Sequence, residues 1–227
     1  TERKRAEEEI RQRLGELGVL YQSGLALSQL LKPKEIAQNI IDLLDQKLDW
    51  HHTTVRLCHP QDETLELLAF NQPGLRSEQE KRAVEERFKT SIAKKGQGLS
   101  GWVIEHGQGV RTSDLMHDTR YVETFPGLQS GLYVPIVIGE RTIGVISIES
   151  EKADAFSEAD ERLVATLAAQ AASALENARL FEETEQRLEH LQALHAIDKA
   201  ITGSMDISLI LDVIIGQIIS QLNVDAA

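Results

Sequence analysis

The chain has 227 residues, 41% of them hydrophobic and 26% charged, with a formal net charge of -12. That length suits one sizeable core and part of another, and the acidity excludes a phosphate-binding surface, since nucleic-acid affinity rests on Lys and Arg neutralising phosphates. A single cysteine, Cys58, excludes an intrachain disulfide and any multi-cysteine metal or iron–sulfur centre and fits a cytoplasmic location.

The opening TERKRAEEEIRQR reads as a charged helix and not as a signal peptide, and no apolar run here reaches the roughly 18 residues of a membrane span. Ile10, Leu14, Leu17 and Tyr21 form an a/d seam with charged flanks, as in a parallel or antiparallel coiled coil. Lys32-Pro33-Lys34 interrupts that helix, because proline disfavours helix at the residue before it. A second helix is predicted over Glu35 to Leu48, where Ile36, Ile40, Leu43, Leu44 and Leu48 recur at helical spacing. Thr53–Leu57 and Leu65–Phe70 read as strands around the turn sequence His59-Pro60-Gln61-Asp62. Residues 77–89 read as an exposed charged helix.

The stretch Gly98 to Tyr121 is the densest in glycine and mixed polar groups, which points to the wall of a pocket. It is predicted to hold a helix at Ser100–His106, a brief strand at Val110–Thr112, and a loop from Asp114. Gly131–Ile138 and Thr142–Ile148 are strands joined at Gly139-Glu140, a two-residue loop suited to a II′ turn. Pro135 makes the first of them an edge or bulged strand there. In the second, Ile146 and Ile148 share one face with Gly144, while Val145, Ser147 and Glu149 share the other. One oily face and one that turns polar fit a sheet between helices and a polar site.

Ser157 is a predicted N-cap for a long helix without internal Pro or Gly, with Asp160 three residues on. Leu163, Leu167, Ala174, Phe181, Leu188 and Leu191 fall on one seam, interrupted by Gln170, Asn177 and Thr184, positions that set register and partner number. The segment after Glu176 repeats the start of the chain without gaps: Leu17 aligns with Leu191, and Arg13, Leu14, Leu20 and Ala26 meet Arg187, Leu188, Leu194 and Ala200. Ile36, Ile40 and Ile41 likewise meet Ile210, Ile214 and Ile215. The expected layout is a signalling helix at 1–19, a domain at 20–180, a connecting coiled coil at 181–195, and the first helices of a second module at 196–227. On this reading the chain is a piece of a longer protein, and Ile207, Ile210, Ile214, Ile218 and Leu222 form an apolar stripe expected either to pack on another copy's helices or to be poorly ordered.

Candidate chemistry has plainer counterparts. Cys58-His59 invites comparison with a bilin-bearing pair, but also reads as a small strand residue beside a turn histidine. His106 and His117 lack an obvious third metal ligand. His190 and His195 lie on the long helix without the context of a phospho-acceptor. No Ser-His-Asp order, Gly-Lys phosphate loop or His-Glu-x-x-His pattern is present, so the chain is expected not to be an enzyme and no cofactor is assigned.

The ordered set Gly98-Leu99-Ser100-Gly101-Trp102-Val103, Gly107…Val110 and Asp114…Asp118-Thr119-Arg120-Tyr121 resembles the GAF family of sensor domains. Leu132-Tyr133-Val134-Pro135-Ile136, Ile143-Gly144-Val145-Ile146, Phe156-Ser157-Glu158-Ala159-Asp160 and Glu176-Asn177-Ala178-Arg179-Leu180 extend the resemblance over about 20–180. It implies an α+β, PAS-like antiparallel sheet, with terminal helices on one face, a ligand-pocket cap on the other, and long coiled-coil signalling helices as flanks. Departures from the subfamilies are specific. Phe156…Asp160-Glu161 keeps half of the cyclic-nucleotide signature, but Glu149-Ser150-Glu151-Lys152 stands where its Asn-Lys pair belongs; one cysteine is too few for the methionine-sulfoxide reductase members; and Cys58 is on the wrong element for a bilin.

The resulting expectation is a regulatory module of a bacterial two-component or cyclic-dinucleotide system, with the histidine kinase or enzyme output outside this sequence. Its candidate ligand-binding residues are Trp102, Arg111, Asp114, Asp118, Arg120, Tyr121, Ser147 and Glu149. For Asp114, Asp118 and Arg120, hydrogen bonds that staple their own loop are an equal alternative. A ligand-free dimerisation and spacer module is the rival, with a degenerate reductase as a distant enzymatic one. The expected partner is a second copy, joined through the N- and C-terminal helices. Light scattering should then report a dimer for the whole chain and a monomer once 1–18 and 184–227 are removed; a dimer that survives the deletion would exclude the helix seams as its basis.

Overall fold

A computed structural model of the chain describes residues 32–48, 52–72, 94–123 and 125–203, with isolated positions 79, 82, 84, 86, 211 and 214–216. The N-terminal seam and most of the 77–89 helix lie outside the described residues, as do Ile207, Ile210, Ile218 and Leu222 of the C-terminal stripe. The chain divides into two compact units, Thr1–Ala178 and Arg179–Ala227.

Helix α1, Pro33–Leu48, begins on the proline, where a missing N–H costs nothing because the first turn has no intrahelical acceptor. Its Ile36, Ile40, Ile41 and Leu44 are almost fully buried. Strands β1 (His52–Cys58) and β2 (Leu65–Asn71) follow as an antiparallel pair. Helix α2 spans Gly98–His106 and ends on Gly107, whose left-handed backbone lets its N–H return to the Val103 carbonyl. Strands β3 (Val110–Thr112), β4 (Ser130–Ile138) and β5 (Arg141–Ser150) complete a five-stranded sheet in the order β2-β1-β5-β4-β3. All its pairings are antiparallel.

Gly139 has φ of 60° and Glu140 has no positive φ, which makes the β4–β5 connection the expected II′ turn. Pro135 is tolerated because β3 pairs only with Gly131 to Tyr133, leaving β4 an edge beyond that point. The register also shifts between Ile136 and Val137.

Side-chain alternation divides the sheet into two faces. On one, Val55, Leu132, Val134, Ile136, Ile146 and Ile148 pack with α1 and with Val164, Leu167, Ala171 and Leu175 of α3, which runs Glu158–Gly203. On the other, Tyr133 and Val145 meet Leu99, Val103 and Ile104 of α2 together with Leu115 and Leu128. Helix α3 starts with a reciprocal cap: Ser157 Oγ accepts from the Asp160 N–H at 3.3 Å, and the Asp160 carboxylate accepts from the Ser157 N–H at 2.7 Å.

The expected single seam along α3 needs correction. Leu167 and Ala174 belong to the sheet-facing core, together with Val164, Ala168, Ala171, Ala172, Leu175 and Ala178, which the heptad reading left out. Further along, Phe181, Leu188 and Leu191 are exposed, as are Leu180 and Leu194.

Gly101 is the tightest point of the α2 region. A Cβ there would lie 2.3 Å from the Lys94 carbonyl oxygen, and the Gly96 N–H donates to the Gly101 carbonyl at 2.9 Å. Since a backbone atom cannot swing away, Gly101→Ala should cost about 1–3 kcal/mol. Urea denaturation should show a lower midpoint at unchanged m; an unchanged midpoint would mean that this turn yields without cost.

Candidate functional site

The second face of the sheet becomes polar where β1, β5 and β4 lie side by side. Thr54 is opposite Ser147, which is in turn opposite Tyr133; in the next row His52 and Gly131 flank Glu149. These residues, except Gly131, line a cavity of about 160 Å³ together with Arg56 of β1, Phe70 of β2, Gly98, Leu99 and Ser100 of α2, and Tyr121, Val122 and Phe125 of the following loop.

The floor is knit from side chain to side chain. The Tyr133 hydroxyl donates to the Glu149 carboxylate. Gly131 permits this, since a Cβ there would stand 2.7 Å from Tyr133 Cε2. The hydroxyls of Ser100 and Ser147 are 3.0 Å apart, joining the first turn of α2 to the central strand. Burial pushes the Glu149 carboxyl above its usual range, against the Tyr133 hydrogen bond and the Arg56 charge. The same burial pushes the Tyr133 phenol well up and the Arg56 guanidinium down, the latter opposed by Glu149.

Of the candidate residues, Tyr121, Ser147 and Glu149 line this cavity. Trp102 and Arg120 line a neighbouring surface groove that shares Gln97, Gly98, Tyr121 and Val122 with the cavity. The Arg120 guanidinium lies 4.6 Å from the Trp102 ring centroid and holds Asp118 through two bonds of 2.9 and 2.7 Å. Those bonds keep the Asp118 carboxyl below the usual range. Trp102 also stacks on His106, whose ring nitrogen Nδ1 is 2.9 Å from the Trp102 carbonyl.

Arg111 and Asp114 do not line the cavity. Arg111 instead reaches the start of α3, donating to Glu161 at 3.2 Å and to the Phe156 carbonyl at 3.4 Å. Asp114 staples its own loop, accepting from the Met116 N–H at 3.1 Å and pairing with the His117 ring at 2.6 Å. The surviving Phe156…Asp160-Glu161 half-signature is thus engaged in a buried ring, a helix cap and the Arg111 contact. His59 pairs with Glu66 at 3.0 Å, and burial raises the half-buried Cys58 thiol. Among the described residues no three His, Cys, Asp or Glu are grouped to hold a metal ion.

Arg56, Thr54, Tyr133 and Ser100 were missed from sequence. A signal existed for the first two: Val55 and Leu57 mark the oily face of β1, which assigns Thr54 and Arg56 to the other.

The profile of the GAF domain matches residues 31–176. The GAF domain of a phosphoenolpyruvate-protein phosphotransferase from Coxiella burnetii superposes with a TM-score of 0.62 at 20% identity, covering 75% of this chain and 98% of that one. Free methionine-R-sulfoxide reductase from Neisseria meningitidis, solved in complex with its substrate, gives 0.60 at 20% identity over 71% and 89%. The type II reductase from Thermoplasma acidophilum gives 0.51 at 21% identity over 63% and 95%. The reductases overturn the expectation that this chain is not an enzyme. The same architecture carries redox catalysis, so a lack of familiar catalytic motifs excludes nothing.

The raised Glu149 carboxyl has a consequence for stability. The folded state holds the Glu149 proton more tightly than the unfolded chain does, so this group's contribution is fully present below the ordinary carboxyl value of 4.5 and is lost as pH rises through the raised folded value. Urea unfolding between pH 4 and 7 should show the stability of the unmodified chain falling relative to Glu149→Gln over that window. A difference between the two that stays flat with pH would contradict the desolvated carboxylate.

Proposed function

This chain belongs to the GAF domain family, and from that premise we propose that it is a regulatory sensor module whose cavity under α2 takes a small polar ligand. The observation that carries the reading is the polar floor of Arg56, Thr54, Tyr133, Ser147 and Glu149, withdrawn from solvent on the face opposite the main core. A fold gains nothing from burying charge for stability alone, since desolvation costs several kcal/mol per ion. Binding energy can recover that cost.

The relay runs from the cavity through β4 and β3 to α3. Arg111 pairs with Glu161 and the Phe156 carbonyl at the start of that helix, and β3 itself pairs with Gly131 to Tyr133. A ligand that changes the position of Tyr133 therefore acts two bonded steps from the helix start. It shifts the helix only as far as it prefers one state over the other. The helix passes the change to a second GAF module and to a histidine kinase or cyclic-dinucleotide enzyme, in a homodimer held by Leu180, Phe181, Leu188, Leu191 and Leu194, which are exposed in the single chain.

Native mass spectrometry of the purified chain, followed by thermal shift against a fractionated small-molecule extract and against cyclic nucleotides, tests the reading. A ligand at a hundred times its Kd adds about 2.7 kcal/mol, a rise in Tm of about 5–10 °C at this size. Arg111→Ala should leave that rise nearly intact while removing the ligand's effect on hydrogen exchange at residues 156–165. No co-purifying molecule and no shift with any fraction would leave the spacer module standing instead.

A further inference from the structure

The floor of the cavity is closed to solvent: Tyr133 is 3% exposed and Ser147 5%. A small molecule that reaches them has to pass between parts of the wall. The floor itself is three strands joined by backbone hydrogen bonds, and α2 is anchored by the Gly96 N–H on the Gly101 carbonyl at 2.9 Å. The remaining side is thinner. Gln97, Gly98, Tyr121 and Val122 line both the cavity and the surface groove beside it, so a single layer of residues divides the two spaces there. Across that layer a Cβ at Gly98 would lie 3.6 Å from Val122 Cγ2, which is ordinary packing. Val122 is itself 65% exposed, so little buried apolar area holds it against the helix.

A stack of side chains fastens that side. The Arg120 guanidinium lies 4.6 Å from the ring centroid of Trp102, a residue of α2. Asp118 aims the guanidinium: its carboxylate accepts from Arg120 Nε at 2.9 Å and Nη2 at 2.7 Å, and from the Arg120 backbone N–H at 3.0 Å. A forked pair of this kind fixes the plane of the guanidinium as well as its position. On the helix the indole is braced by the His106 ring, stacked 4.2 Å away. The Tyr121 N–H bonds to the Asp118 carbonyl at 2.9 Å, which ties the cavity wall to the same short loop.

From this geometry we propose that the cavity is entered between residues 97–98 and 121–122, and that Asp118, Arg120 and Trp102 form the latch that keeps the entrance closed. When Arg120 leaves the indole, residues 119–122 swing away from α2 while the sheet and the helix stay in place. Opening breaks no strand ladder and uncovers little apolar surface, so it is a local event far below the free energy of global unfolding. The proposal goes beyond the sensor reading, because access to the cavity is measured with no ligand present.

Thiol labelling of the whole chain provides the test. In a Cys58→Ser background, Ser147→Cys places a single thiol on the cavity floor, and its reaction with iodoacetamide is followed by mass spectrometry without denaturant. The rate should lie well below that of free cysteine and rise about tenfold with Arg120→Gln or Trp102→Leu, the scale of a lost cation–π or charge-assisted contact. Low urea should leave the rate nearly unchanged, since a local opening exposes little surface. Should Ser147→Cys fail to fold, Thr54→Cys on the same floor takes its place; Arg120→Lys, which keeps the cation and loses the fork, is the milder latch variant. A thiol that reacts as fast as free cysteine, a rate unchanged by both latch variants, or a rate that climbs with urea as global unfolding does would each overturn the proposal. Whether a ligand exists is decided separately by the thermal-shift series, so the two readings fail independently.

Discussion

Strand β5 has to serve two environments at once, and the rest of the domain is arranged around that demand. Its Ile146 and Ile148 need a dry, densely packed face, which α1 and the first turns of α3 supply. Its Ser147 and Glu149 need hydrogen-bonding partners on the opposite face, because an unmet buried carboxylate costs more than any single apolar contact returns. As the middle strand, β5 meets that need from several elements: Tyr133 of β4 donates to Glu149, Arg56 of β1 acts on it as a nearby positive charge, and Ser100 of α2 meets Ser147.

Small residues make that polar face geometrically possible. Gly131 leaves space for the Tyr133 ring to lie toward Glu149, and Gly101 lets α2 approach the backbone at Lys94. Ser100 then stands close enough to meet Ser147. The cavity is what remains between a sheet face that cannot be filled with aliphatic side chains and a short helix held at a set distance above it. The neighbouring groove is stiffened separately, by Asp118 gripping Arg120 and Arg120 lying on Trp102.

Arg111 shows how a polar residue near a cavity acquires a different task. Its strand is only three residues long, and its side chain turns toward the cap of α3, where Glu158, Glu161 and the Phe156 carbonyl collect negative charge. Acidic residues at a helix start are favourable in themselves, because they meet the positive end of the helix dipole. The arginine adds a strut between that start and the sheet edge. One end of α3 is thereby bound to the same strand pair that holds Tyr133.

What local sequence determines here is what depends on short-range physics. Helical spacing of isoleucine and leucine marks α1, period-two alternation marks β4 and β5 with their opposite faces, Gly139 marks the turn, and Ser157 with Asp160 marks the start of α3. Ser147 and Glu149 were legible as a polar face for the same reason. The heptad reading of α3 failed over its first half because a helix on a sheet and a helix in a coiled coil present similar apolar spacings; only the sheet beneath Ala168, Ala171 and Ala172 tells them apart. The tertiary structure alone decided that Arg56 and Tyr133 join Glu149 and that Arg111 leaves the cavity for α3. Residues 56, 133 and 149 meet through strand pairing across some ninety positions of chain, and no local pattern records which strand lies beside which.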